Sequence, residues 1–188
     1  MLIRRDILRL AACAALVPTI GRASSAHDFT FETLERRDGR LPLADFAGGP
    51  VLVVNTASRC GFTPQYEGLQ ALWTTYGPRG LTVIGAPSRD FGGQEYADES
   101  RIRDFCATTY AVEFPLTEIV RVKGTSAHPF YAWARTEAAA RSWPTPSWNF
   151  HKYLIGPDGA LAGAWATTTE PEAPAIIAAI EALLPASG

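Results

Sequence analysis

At 188 residues the chain has the length of one domain with a modest tail. Apolar residues make up 47% of it, enough for a buried core and too many for disorder, and a net charge of −2 offers no basic field to attract nucleic acid. No apolar run reaches the roughly 18 residues that a membrane-spanning helix needs.

The N-terminus reads as an export signal. MLIRRDILR is cationic, LAACAALVPTI is apolar, and SSA before His27 offers small residues for cleavage. Arg4-Arg5-Asp6-Ile7-Leu8-Arg9 has the twin-arginine pattern. Leu10-Ala11-Ala12-Cys13 mimics a lipoprotein cleavage box, but most of the apolar core follows that cysteine instead of preceding it; an uncleaved tether is the other alternative, disfavoured by the short apolar span. Residues 1–26 are therefore expected to be a signal peptide and 27–188 an exported domain, in the bacterial periplasm, with no stable membrane insertion once the signal is gone. Removing four arginines and one aspartate takes the net charge from −2 to −5. Cys13 leaves too, and Cys60 and Cys106 remain, in a compartment where two cysteines could also be a structural staple.

Phe29 to Leu34 alternates, RRDGR supplies a turn, and Leu41-Pro42-Leu43 returns, which predicts an N-terminal β-hairpin. Val51 to Asn55 reads as a strand buried on both faces. Tyr66, Leu69, Leu72, Trp73 and Tyr76 recur at helical spacing up to Gly77-Pro78. Leu81 to Gly85 is a second buried strand, followed by the loop APSRDFGGQEYAD. Asp98 caps a helix to about Tyr110, with Ile102, Phe105 and Cys106 on one face. A strand over Leu116 to Val122 and a helix over Pro129 to Arg135 come next. Tyr153 to Ile155, the turn Gly156-Pro157-Asp158-Gly159 and Leu161 to Trp165 form a hairpin, and a helix over Glu172 to Leu184 closes the chain. This order predicts a single α/β domain, a mixed central sheet with flanking helices, consistent with a thioredoxin-like fold.

Cys60 falls between the Val51 strand and the helix that begins near Tyr66. A cysteine at a helix start meets unpaired N–H groups and a partial positive charge, and both favour a thiolate. Thr63 stands where a CxxC motif would carry its second cysteine, so no local disulfide can form. What remains is attack by one cysteine, helped from elsewhere in the chain.

Three blocks, NTASRCGFTPQYEGLQ, PSRDFGGQE and WNFHKYLIGPDG, in this order and spacing, resemble the signature blocks of the glutathione peroxidase family, and the resemblance runs from about Phe29 to the C-terminus. It implies a thioredoxin-like fold and reduction of hydrogen peroxide and organic hydroperoxides, with no cofactor and no metal. It places the family's reactive chalcogen on Cys60, its glutamine on Gln94 and its Trp-Asn pair on Trp148 and Asn149. The indole N–H and the two amides can donate hydrogen bonds to a leaving oxygen without adding charge. RDFCATTYAVEFP resembles the resolving segment of thioredoxin-dependent members, which assigns to Cys106 the closing of a disulfide with oxidised Cys60 and to a thioredoxin-like protein its reopening. Cys106 would need local unfolding to reach Cys60. The short stretch between Arg135 and Trp148 resembles monomeric members.

The chain departs from the family pattern at Ser88, where many relatives carry cysteine; at Arg89-Asp90, a charge pair beside the site; at Arg59 for lysine; and at His151 for threonine, read as a solvated or hydrogen-bonded surface histidine. Taken alone, Cys60 or Cys106 would be an inert buried thiol, and Trp148 would be core like Trp73, Trp133, Trp143 and Trp165. Gly92-Gly93 reads as the shaper of the turn presenting Gln94. Three scattered histidines do not make a metal site. Alternatives to the two-cysteine peroxidase are a glutathione-dependent one-cysteine peroxidase, an envelope thiol oxidant or redox sensor passing a disulfide to a client, and a domain stapled by Cys60–Cys106.

Overall fold

The computed structural model describes residues 25–33 and 39–185. The expected signal peptide and the RRDGR turn fall wholly or mostly outside the described residues.

The strands are β1 (Thr30–Glu32), β2 (Arg40–Pro42), β3 (Val51–Thr56), β4 (Thr82–Pro87), β5 (Lys152–Ile155) and β6 (Leu161–Trp165). The helices are α1 (Gln65–Tyr76), α2 (Glu99–Tyr110), α3 (Pro129–Ala140) and α4 (Pro174–Leu183). β1 and β2 pair antiparallel as the expected N-terminal hairpin. The central sheet runs β4-β3-β5-β6, with β3 parallel to β4 and antiparallel to β5. This is the thioredoxin-like α/β arrangement.

Alternation along β3 sorts the core into two layers. Val51 and Val53 face Phe130, Tyr131 and Ala134 of α3, whereas Leu52 and Val54 face Leu69 of α1, Ile102 of α2 and Ile176 of α4. The sheet is thus covered on both faces, which explains why β3 and β4 read as continuous apolar runs. Asp98 caps α2 as expected, its carboxylate accepting the N–H groups of Ser100 and Arg101. His128 caps α3 through its ring nitrogen, and α3 runs to Ala140, past the expected Arg135, because Ala138 to Ala140 are strong helix formers. No helix among the described residues is long and apolar enough to cross a membrane.

The segment Leu116 to Val122 is not a strand. Leu116 bridges Gly85 and Thr117 bridges Thr33, and the Glu118 and Val120 N–H groups still reach the Glu32 and Pro87 carbonyls, but other N–H groups turn to side chains. The Ile119 N–H goes to Glu99, and those of Val122 and Lys123 go to Asp90. Gly85 permits the close approach, since a Cβ there would sit 2.6 Å from the Leu116 side chain.

Candidate active site

β3 delivers the chain into a tight turn before α1, and Cys60 lies within that turn, 7% exposed. It stands between strand and helix as expected, but five residues ahead of Gln65, where α1 begins, because residues 57–64 form their own hydrogen-bonded knot. The Thr63 hydroxyl accepts the Cys60 N–H at 3.0 Å and lies 2.8 Å from the Ala57 carbonyl and 2.7 Å from that of Cys60. Thr63 therefore fixes the turn from the place where a dithiol motif would keep its second sulfur. The favourable N–H group comes from the turn itself: Phe62 N donates to Cys60 Sγ at 3.4 Å.

The Gln94 loop packs beside this turn. Gly92 and Gly93 have φ of 66° and 62°, which shape the loop as expected. Arg59 N donates to the Gln94 carbonyl at 2.9 Å, and its guanidinium reaches the carbonyls of Gly93 and Glu95. The residue next to Cys60 is thereby fastened to the residue under the glutamine. Asp90 does not pair with Arg89 as the sequence suggests. It pairs with Arg121 at 2.7 Å and holds the Val122 and Lys123 N–H groups.

The third block is clamped by Asn55 of β3. Its Nδ2 donates to the Trp148 carbonyl at 3.1 Å and its Oδ1 accepts His151 N at 3.1 Å, while its own carbonyl accepts Phe150 N at 2.6 Å. Asn55 thus holds Trp148, Phe150 and His151 at once, and Phe150 between its neighbours takes a φ of 63° that few non-glycine residues adopt. Asn149, fully buried, points its Nδ2 at Gln94 Oε1, 3.1 Å away. Trp148 is 37% exposed, with its ring 6.1 Å from that of Phe91 and its edge over Gly92. An exposed indole over a glycine loop differs from Trp133, which is buried in the α3 layer.

Cys106 sits in the last turn of α2, 1% exposed, in the same apolar layer as Cys60, and no disulfide joins the two. The helix ends beside it at Ala111, a left-handed cap with φ of 49°, whose N–H bonds the Cys106 carbonyl.

His151 is not on the surface. It is buried immediately before β5, its ring edge-on to Tyr153 at 4.6 Å, and desolvation with the adjacent Lys152 charge pushes its pKa down to about 3.

Two further groups beside the site escaped sequence reasoning. Glu95 is fully buried and accepts the N–H groups of Ser58 and Tyr96 at 3.1 and 2.7 Å. Burial raises its carboxyl above the ordinary range against the pull of those hydrogen bonds. The buried Tyr66 hydroxyl faces the Cys106 thiol and the Thr56 hydroxyl without a well-formed bond to either, and desolvation raises its pKa far above the ordinary phenol value. The carboxyl directly after Gln94 in GGQE was the available signal for the first. Among the described residues, no three His, Cys, Asp or Glu side chains cluster as metal ligands.

A thioredoxin-like sheet that presents one cysteine in a tight turn, with amide and indole donors on neighbouring loops, defines a thiol-dependent oxidoreductase. The family profile for glutathione peroxidase matches residues 28–135, and the chain belongs to the glutathione peroxidase family. It is 39% identical over 144 residues to a glutathione peroxidase of Lactococcus lactis subsp. cremoris, covering 77% of this chain and 92% of that protein. It is 43% identical over 150 residues to a hydroperoxy fatty acid reductase of Synechocystis sp., covering 77% and 88%. Among solved structures, the apo form of Trgpx superposes with a TM-score of 0.66 at 36% identity, over 87% of this chain and all of that one. A thiol:disulfide interchange protein DsbE from Chlorobium tepidum, at 18% identity and TM-score 0.55 over 87% of this chain and 97% of that one, shares the fold.

Proposed function

We propose that the chain reduces hydrogen peroxide and organic hydroperoxides through Cys60, and the observation that carries this reading is the hydrogen bond from Asn149 to Gln94. It joins two blocks that the sequence keeps far apart, next to the cysteine turn. Because Asn149 occupies the Gln94 oxygen, the Gln94 NH₂ is turned outward as a donor. The Cys60 thiolate attacks one peroxide oxygen, the O–O bond breaks, and the departing alkoxide or hydroxide takes a proton and leaves as alcohol or water. Donors from Phe62 N, the Trp148 indole and the Gln94 amide stabilise charge on sulfur and then on the leaving oxygen.

Cys60 is left as a sulfenic acid. The Cys106 thiolate attacks that sulfur, the S–O bond breaks, the departing hydroxide takes up the proton that the thiol released and leaves as water, and a disulfide forms. A thioredoxin-like protein, supplying two electrons and two protons, restores both thiols. The exported location, a signal peptide over residues 1–26 and a monomeric working form belong to the same reading; the RRDILR run and the apolar stretch after it support export. Burial of Cys106 favours one second reading, a one-cysteine cycle with glutathione as reductant.

One equivalent of hydrogen peroxide added to reduced protein tests both. Peptide masses without reductant should show a Cys60–Cys106 disulfide, and Cys106→Ser should show sulfinic acid at Cys60. Turnover with glutathione that survives Cys106→Ser would select the one-cysteine cycle. Thiols unchanged after minutes would overturn the peroxidase reading.

A further inference from the structure

Lys152 opens β5 and, with Leu154, faces the α1 layer while Tyr153 and Ile155 face the other. Its side chain is fully buried. The ammonium donates to Gln65 Oε1 at 2.5 Å, to the Thr169 carbonyl at 2.6 Å and, more weakly, to the Thr167 carbonyl at 3.4 Å. Gln65, the first residue of α1, passes its own NH₂ to the Thr167 carbonyl at 2.8 Å. The Thr167 hydroxyl then donates to the Asn149 carbonyl at 2.7 Å. One cation therefore touches the helix that follows the Cys60 turn, the segment 167–170, and, at one remove, the backbone of Asn149.

We propose that Lys152 is a positioning residue for the peroxidatic site: it fixes the Cys60 turn and Asn149 relative to each other through Gln65 and Thr167. This rests on the reading of Cys60 and Asn149 given above. The alternative role, stability, fits the energetics badly. A fully buried ammonium carries a large desolvation penalty, and replacement of buried ionic groups by apolar residues of similar volume is often neutral or stabilising. The penalty is visible in the lysine itself, whose pKa falls to about 8 by desolvation, with Glu170 the opposing influence. His151, the neighbour along the strand, is held neutral and adds no charge at physiological pH. What the cation supplies that methionine would not is direction, since three oxygens from two segments converge on one atom.

The test is Lys152→Met in the full chain, with the two half-reactions measured separately. Oxidation of Cys60 by hydrogen peroxide should slow by roughly tenfold or more, the scale expected for a small misplacement of reacting groups. Reduction of the preformed disulfide by dithiothreitol should stay within twofold of wild type. Oxidation within twofold of wild type would overturn the proposal, as would equal slowing of both half-reactions. Should Lys152→Met fail to fold, Thr167→Val removes only the link to Asn149; a several-fold slower oxidation supports the proposal and an unchanged rate overturns it. A wild-type Cys60 inert to peroxide would instead sink the peroxidase reading on which the proposal stands.

Discussion

Asn149 and Gln94 are hydrogen-bonded side chain to side chain at 3.1 Å, although 55 residues separate them. In the proposed reaction this bond occupies the glutamine oxygen and leaves its NH₂ as the end that donates to the peroxide. Without it the carboxamide can rotate, and its oxygen, not its NH₂, can meet the peroxide. Asn149→Ala is expected to slow peroxide reduction by about 10²-fold, the usual consequence of losing one preorganised donor. Stopped-flow oxidation of Cys60 in the variant checks this, and a rate within threefold of wild type would remove the orienting role.

His151 makes stability depend on acid. Its folded pKa of about 3 lies below the unfolded value of 6.5, so the unfolded chain binds the extra proton between those limits. The contribution of the neutral, buried ring is fully present above pH 6.5 and is lost as pH falls toward 3, on the order of 5 kcal/mol in total. Urea unfolding from pH 7 to pH 3.5 should show His151→Thr losing less stability than wild type over this range. Parallel curves for the two proteins would contradict the assignment.

Ala111 carries a φ of 49° at the end of α2, where glycine is the usual residue. Ala111→Gly relieves the left-handed strain and is expected to raise stability by roughly 0.5–1 kcal/mol. Denaturant unfolding gives the sign, and a loss of stability would show that the alanine methyl contributes more by packing than it costs in strain.

Much of this architecture was legible. Val51 to Val54 and Leu81 to Ile84 are apolar on both faces because the sheet is covered on both sides, and Asp98 announced α2 by capping it. What escaped depended on partners distant in sequence. The Leu116–Val122 run has strand composition, yet its N–H groups are divided between the Gly85, Glu32 and Pro87 carbonyls and the side chains of Glu99 and Asp90, so no continuous ladder forms. His151 and Lys152 look like surface residues in isolation, and only the burial of every β5 position and of the residue just before it reverses that. The offset of Cys60 from α1 follows from Thr63, whose hydroxyl closes a turn that apolar periodicity does not register. For the site, Gln94, Trp148 and Asn149 were each named from a motif; that Asn149 and Gln94 touch, and that Glu95 and Asn55 brace their loops, emerged from the fold.

The place of Cys106 inside the last turn of α2 has a consequence for exposure to oxidant. On the two-cysteine route, Cys60 waits as a sulfenic acid until that turn opens, and a second peroxide can arrive during the wait. The opening frequency of one helical turn then sets a ceiling on the dose the enzyme survives. Below it each peroxide ends in a reversible disulfide; above it the cysteine advances to sulfinic acid and the molecule is spent. Ala111 makes the wait shorter by keeping that turn under strain, so relieving it would yield a sturdier protein that oxidant kills sooner.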